Sequence, residues 1–119
     1  MTTQLLIPEH VSSLNGQGGM LRAHWSKKAK IIKTYQWVFL AQTSNRHPGQ
    51  VRLSVTRLSL KPTMDYDNLV GCYKHYLDAI VKAGIIQDDG PKIIIESRYE
   101  QLKATSKQDQ QTLIVIECA

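Results

Sequence analysis

Residues 63–90 read TMDYDNLVGCYKHYLDAIVKAGIIQDDG, and the folding of this stretch decides the architecture around it. Leu69, Val70, Tyr73, Tyr76, Leu77, Ile80 and Val81 recur at spacings of three and four, the period of an amphipathic helix. Gly84 follows the last of them and predicts the helix stop. The stretch also holds Asp65, Asp67, Asp78, Asp88 and Asp89, five of the ten acidic residues in the chain. Asp65 and Asp67 precede the helix and Asp88 and Asp89 follow it.

Strand signals flank the helix. VRLSVTRLSLK, residues 51–61, alternates Val51, Leu53 and Val55 inward and then changes phase to Leu58 and Leu60, which predicts a bulge. KIIIESRY and TLIVIEC read as two later strands, joined across the polar turn KATSKQDQQ. Towards the N-terminus, QLLI at 4–7 reads as a short strand ended by Pro8, and SSLNGQGG as a polar loop. A helix is predicted over Ala23–Gln42, with Trp25, Ala29, Ile32, Tyr35, Phe39 and Leu40 forming its apolar stripe. Ser26 is a candidate N-cap that would move the start to 26. The order β-α-β-α-β-β predicts a single α+β domain over 1–119, two helices on one mixed or mainly antiparallel sheet.

Composition narrows the function classes. The chain has 119 residues, a net charge of +5 and an isoelectric point near 9.3. Cys72 and Cys118 match no disulfide framework or zinc spacing and read as reduced thiols. MTTQLLIPEH lacks the basic and apolar regions of a signal peptide, and no apolar run is long enough to span a bilayer. The expectation is a soluble cytoplasmic protein with no membrane partner. Between His10 and Met64 there is no acid, but there are nine basic residues: Arg22, Lys27, Lys28, Lys30, Lys33, Arg46, Arg52, Arg57 and Lys61. Such a field attracts polyanions, nucleic acid foremost. His24, beside Trp25 in this stretch, could touch a phosphate, with ordinary surface placement as the alternative.

The acidic cluster has a local explanation and a chemical one. Asp67 could cap the helix, and Asp88-Asp89-Gly90-Pro91 could be a plain turn. Capping accounts for one carboxylate, not four. If 64–67 is extended, Asp65 and Asp67 point to the same side. The two acid pairs are separated by a helix of about 16 residues, roughly 24 Å if straight. They meet only if the chain folds back. Crowded carboxylates repel, and a hard cation such as Mg²⁺ or Mn²⁺ would relieve that repulsion. In a basic surface, this suits phosphodiester hydrolysis. A nucleotide-handling enzyme is the other use of a DxD pair, but no Gly-rich phosphate loop accompanies it.

Asp65-x-Asp67-Asn68, a following Lys74, Asp78-Ala79-Ile80, Gly84 and the Asp88-Asp89 pair together resemble the RusA family of Holliday-junction resolvases and its phage relatives. The resemblance is strong over about 25 residues, and the earlier SLN…LRAHWSKKAK looks like the entry segment of phage members. It implies a Mg²⁺-dependent endonuclease, with Mn²⁺ as a substitute, that nicks branched DNA as a homodimer. Asp65, Asp67 and Asp89 would be the essential carboxylates, Asp88 a further metal ligand, and Lys74 a helper at the phosphate. Asn68, Arg22, His24, Lys27, Lys28 and Lys33 are placed on the DNA. A DNA-binding protein of the same fold without useful catalysis is the alternative. In the best-known members the Lys follows the Asn by three, whereas here Lys74 follows Asn68 by six. On one continuous helix Lys74 would project about 60° from the family position and roughly 4.5 Å further along.

Overall fold

The structure is a computed structural model that describes residues 1–12, 25–62 and 64–119. Its elements are β1 (Thr2–Ile7), α1 (Trp25–Gln42), β2 (Val51–Ser59), α2 (Tyr66–Gly71), α3 (Lys74–Lys82), β3 (Ile94–Lys103), a 3-10 turn (Lys107–Asp109) and β4 (Gln111–Cys118). The α+β class and the strand–helix order agree with the sequence. The strands lie in the order β1-β4-β2-β3. β4 runs antiparallel to both β1 and β2, while β2 and β3 are parallel. The two strands joined by the KATSKQDQQ turn are therefore not neighbours. The chain crosses the end of β2 between them, held there by the bond from Ala104 N–H to Ser59 O.

The helices cover one face of the sheet. Leu5, Ile7, Val51, Val55, Ile114 and Ile116 point into that layer and are sealed from water. Phe39 from α1 and Ile80 from α3 meet them. Each such side chain stabilises the fold by roughly 1.5–3 kcal/mol. The apolar stripe of α1 packs only in its second half. Tyr35 and Phe39 are buried, but Trp25 is 73% exposed and Ala29 is exposed too. The first turns of α1 do not enter the core.

Two sequence expectations fail for physical reasons. β2 shows no change of phase after Val55. The alternation continues inward through Arg57 and Ser59, and the pairing with β4 runs unbroken from Val51 to Leu58. The irregularity in β2 falls at Val51/Arg52, against β3. Arg57 tolerates burial because its Nε and Nη2 both donate to Val11 O, at 3.0 and 2.7 Å, and Nη2 donates to His10 Nε2 at 3.0 Å. A guanidinium cannot accept, so His10 Nε2 accepts and the ring is neutral. Burial and the adjacent Arg57 charge both lower the His10 pKa.

The central helix is also not continuous. α2 ends at Gly71, and α3 begins at Lys74. Cys72 and Tyr73 between them are fully buried, and Tyr73 sits at φ −101, ψ 0. The Tyr73 hydroxyl reaches across the core to Thr112 Oγ1 at 2.6 Å. Swinging that ring onto β4 tightens the backbone to an i→i+3 bond, Tyr73 N–H to Val70 O, and re-aims the helix. Tyr73→Phe should cost about 1–2 kcal/mol in urea unfolding, because it leaves a buried Thr112 hydroxyl unpartnered. A loss under a few tenths would show that packing alone sets the break. α3 stops where expected. Gly84 adopts φ +77, Ile85 N–H bonds Ile80 O, and Gly84 N–H bonds Val81 O, the paired bonds of a Schellman cap.

Candidate active site

The DxD motif straddles the start of α2. Asp65 is extended (φ −68, ψ 165) and caps the helix. Its Oδ1 accepts the Asn68 N–H at 2.9 Å and its Oδ2 accepts Asn68 Nδ2 at 3.2 Å. Asp65, not Asp67, is thus the capping residue. The extended run ends there, so strand alternation does not align Asp67 with it. Asp67 is exposed in the first turn of α2, where the helix dipole favours a carboxylate. The Asn68 side chain, expected on DNA, is engaged by Asp65.

The second acid pair is carried back by the Schellman turn. Ile85 and Ile86 dive into the core, and Ile85 O accepts the His47 N–H at 2.8 Å. Asp88 and Asp89 then emerge beside α3. The Asp89 carboxyl lies within hydrogen-bonding reach of that of Asp78. Partial burial, the Asp78 contact and the Asp88 charge all raise the Asp89 pKa. Asp78 lies one turn after Lys74, and its Oδ2 is 3.7 Å from His75 Nδ1. That nitrogen is buried without a hydrogen-bond partner among the described residues. Burial lowers the His75 pKa against the opposing pull of Asp78, with Lys28 and Lys74 lowering it further.

Basic residues therefore border the acids. Lys28 comes from α1 and Lys74 from the first turn of α3, both within electrostatic reach of His75. Lys33 and Lys82 line a groove of about 360 Å³ between the same helices, with Ala29, Ile32 and Gln36. Lys27 and Lys33 are exposed on α1. Arg57, counted in the basic field from sequence, is withdrawn into the core. Arg22 and His24 lie outside the described residues.

Tyr99 on β3 links the two acidic ends. Burial, then Tyr66, Cys72 and Asp89, push its pKa up to about 12. Its ring packs edge-on against Tyr66 with centroids 6.3 Å apart. The chain thus folds back as the sequence requires, but Asp89 meets Asp78 rather than Asp65 and Asp67. Among the described residues, no three His, Cys, Asp or Glu side chains are close enough to hold a metal ion.

Asp78 and His75 enter the site without having been singled out for it. The available signal is helical spacing, since Lys74, His75 and Asp78 fall within one turn of each other. Because α2 and α3 are separate, the offset of Lys74 from the family position expected on one continuous helix does not apply. Lys74 is instead the exposed first residue of α3. Among the described residues no helix is long and apolar enough to cross a membrane. No protein-family model and no curated protein matches the chain in sequence.

Proposed function

We propose that the chain is a Mg²⁺-dependent, structure-selective endodeoxyribonuclease acting on branched DNA, as its resemblance to the RusA resolvases implies. The observation that carries this reading is the return of the chain after α3, which sets Asp89 beside Asp78 and Asp88, with Lys28 and Lys74 near His75 on the same side. A carboxylate whose pKa is raised by neighbouring carboxylates, as that of Asp89 is, gains from a nearby divalent cation. Their all-oxygen chemistry fits Mg²⁺ or Mn²⁺. The resemblance assigns the ion to Asp65, Asp67, Asp88 and Asp89, although among the described residues no three of the chain's carboxylates are gathered closely enough to hold it. When bound, the ion would supply water activation and charge stabilisation at a phosphate. Lys74, at the positive end of the α3 dipole, favours the phosphate itself. Lys27, Lys28 and Lys33 on α1 extend the contact along the DNA. Symmetric nicking of a junction needs two such sites, so the active unit is read as a homodimer.

A second reading has one observation in its favour. Both Asp65 oxygens are already engaged by Asn68, which suits a DNA-binding protein without useful catalysis. Cleavage of four-way junction, flap and linear duplex DNA, with Mg²⁺ and with EDTA, separates the two. Metal-dependent nicks in the branched substrates support the nuclease, while tight binding with no cut in any substrate supports the alternative. Neutralising Lys27, Lys28 and Lys33 together should weaken binding and flatten its salt dependence, by up to about 0.9 log unit of slope per lost phosphate contact. An unchanged slope would turn α1 away from the DNA.

A further inference from the structure

A second cluster of reactive side chains lies outside the acidic site, where the end of β4 meets the start of β1. Cys118, the last residue of β4, is exposed, whereas Cys72 is buried in the core. His47 is only 2% exposed and directs its Nδ1 at Cys118 Sγ, 3.3 Å away. The other ring nitrogen, Nε2, lies 2.7 Å from Thr3 Oγ1, which in turn accepts Asn45 Nδ2 at 3.1 Å. The backbone under the ring is fixed as well, by the bond from His47 N–H to Ile85 O at 2.8 Å. Burial lowers the His47 pKa, so the imidazole is neutral at neutral pH.

A neutral imidazole carries one N–H, and the network around it assigns the nitrogen that bears it. Thr3 is buried and its hydroxyl has one proton to give. Among the described residues no acceptor other than His47 Nε2 takes that proton. Nδ1 therefore holds the ring proton and donates to Cys118 Sγ. A donor in this position stabilises a sulfur anion, the nucleophilic form of cysteine, but cannot take a proton from a thiol. The arrangement thus differs from a Cys–His hydrolase pair, where the imidazole is the base that later protonates a leaving amine. It suits thiol–disulfide exchange, in which a thiolate attacks and a thiolate leaves.

We infer that Cys118 is a thiol-modification site for low-molecular-weight disulfides, with His47 as its hydrogen-bond donor and Thr3 as the positioning residue that sets the His47 tautomer. The Cys118 proton passes to water, and the thiolate attacks one sulfur of the disulfide. A new S–S bond forms to Sγ as the old one breaks, and the second sulfur leaves with the electron pair. Cys118 is oxidised and the departing half of the disulfide is reduced. Cys72 serves as the inert comparison, since burial pushes its thiol up to about 11 and seals it from solvent. The inference rests on the β1–β4 end of the sheet and not on the nuclease reading.

The test uses dithiobis(nitrobenzoate), an aromatic disulfide whose departing thiolate is coloured, on the full chain. Rates are read at about pH 7 and about pH 10 for wild type, Cys118→Ser, His47→Phe and Thr3→Val, with thermal melts to confirm folding. Wild type should show one reacting thiol at neutral pH, lost in Cys118→Ser. A hydrogen bond to a charged group raises the thiolate fraction about tenfold or more, and the accompanying loss of nucleophilicity returns about a third of that. His47→Phe should therefore react at least about threefold more slowly at neutral pH. Thr3→Val keeps its shape but frees the ring to adopt the other tautomer, and should slow the reaction about twofold or more. Near pH 10 an exposed thiol ionises without help, so both variants should match or exceed wild type. A wild type with no reacting thiol at neutral pH overturns the inference. So does a wild-type rate in His47→Phe or in Thr3→Val, or a deficit that persists near pH 10 and so reports access alone. Should His47→Phe not fold, Thr3→Val decides on the same two readings.

Discussion

Asp89→Asn should melt higher than wild type without metal, and should lose junction cleavage by at least about 100-fold. The Asp89 carboxyl has a raised pKa because of its partial burial, its bond to Asp78 and the Asp88 charge. The folded value therefore lies above the unfolded value of about 3.9. Between the two, the native state binds more protons than the unfolded chain, so stability falls as pH rises through this window. Above that window the full penalty is present. Asn keeps the shape, can still bond Asp78, and carries no charge. Asp89 is exposed, so solvent screening limits the gain to a few tenths, at most about 1 kcal/mol. For a domain of this size that is at most about 4 °C. Mg²⁺ should raise the melting temperature of wild type by binding the folded state, and should move Asp89→Asn less. A variant that melts lower than wild type without metal, with an equal Mg²⁺ shift in both proteins, would make Asp89 a plain turn residue.

The larger stability effect is expected at Arg57. Its side chain is buried at 4% exposure, and its guanidinium satisfies the Val11 carbonyl twice and His10 once. Arg57→Ala removes the stem, opens a cavity and leaves a buried carbonyl unpaired. The combined cost is roughly 2–4 kcal/mol, a fall in melting temperature of about 10 °C or more. Arg57→Met refills the stem volume without restoring the bonds, so it should recover part of the loss. The same Met variant should leave the salt dependence of DNA binding unchanged, because a buried guanidinium meets no phosphate. An Arg57→Ala protein within about 0.5 kcal/mol of wild type would show that the polar anchor contributes little. A reduced salt slope would return Arg57 to the DNA surface.

What is legible in the sequence is local chemistry. The period of Leu69, Tyr73, Tyr76 and Ile80, closed by Gly84, identifies the crossover between β2 and β3. The alternation of Val51, Leu53 and Val55 identifies the inward face of β2, although the change of phase read after them does not occur. Long-range partners decide the rest. Gly71 is the one local mark of weakness at the helix break, and alone it does not specify a stop, because Cys72 and Tyr73 after it fit the apolar stripe. The partner responsible, Thr112, lies 39 residues away. Arg57 resembles a surface cation until the Val11 carbonyl is brought beside it, 46 residues distant in sequence. The acidic site is half legible in the same sense. Its residue types and the need for a return are written in the motif. The choice of Asp78 as the contact of Asp89 depends on how the Ile85–Ile86 turn enters the core.

The place of β4 in the sheet bears on how the protein is made. β1 pairs with no strand but β4, joining Thr2 to Glu117, and β4 also pairs with β2. During synthesis the strands on either side of the central position emerge first and wait with open edges for the strand that joins them. The parallel β2–β3 unit can assemble with its crossover helices, but β1 has no place in the sheet until β4 leaves the ribosome. Contacts of such sequence separation slow folding, to milliseconds or longer for topologies rich in them. A nascent chain arrested before Gln111 would expose β1 and β2 to strands from other chains.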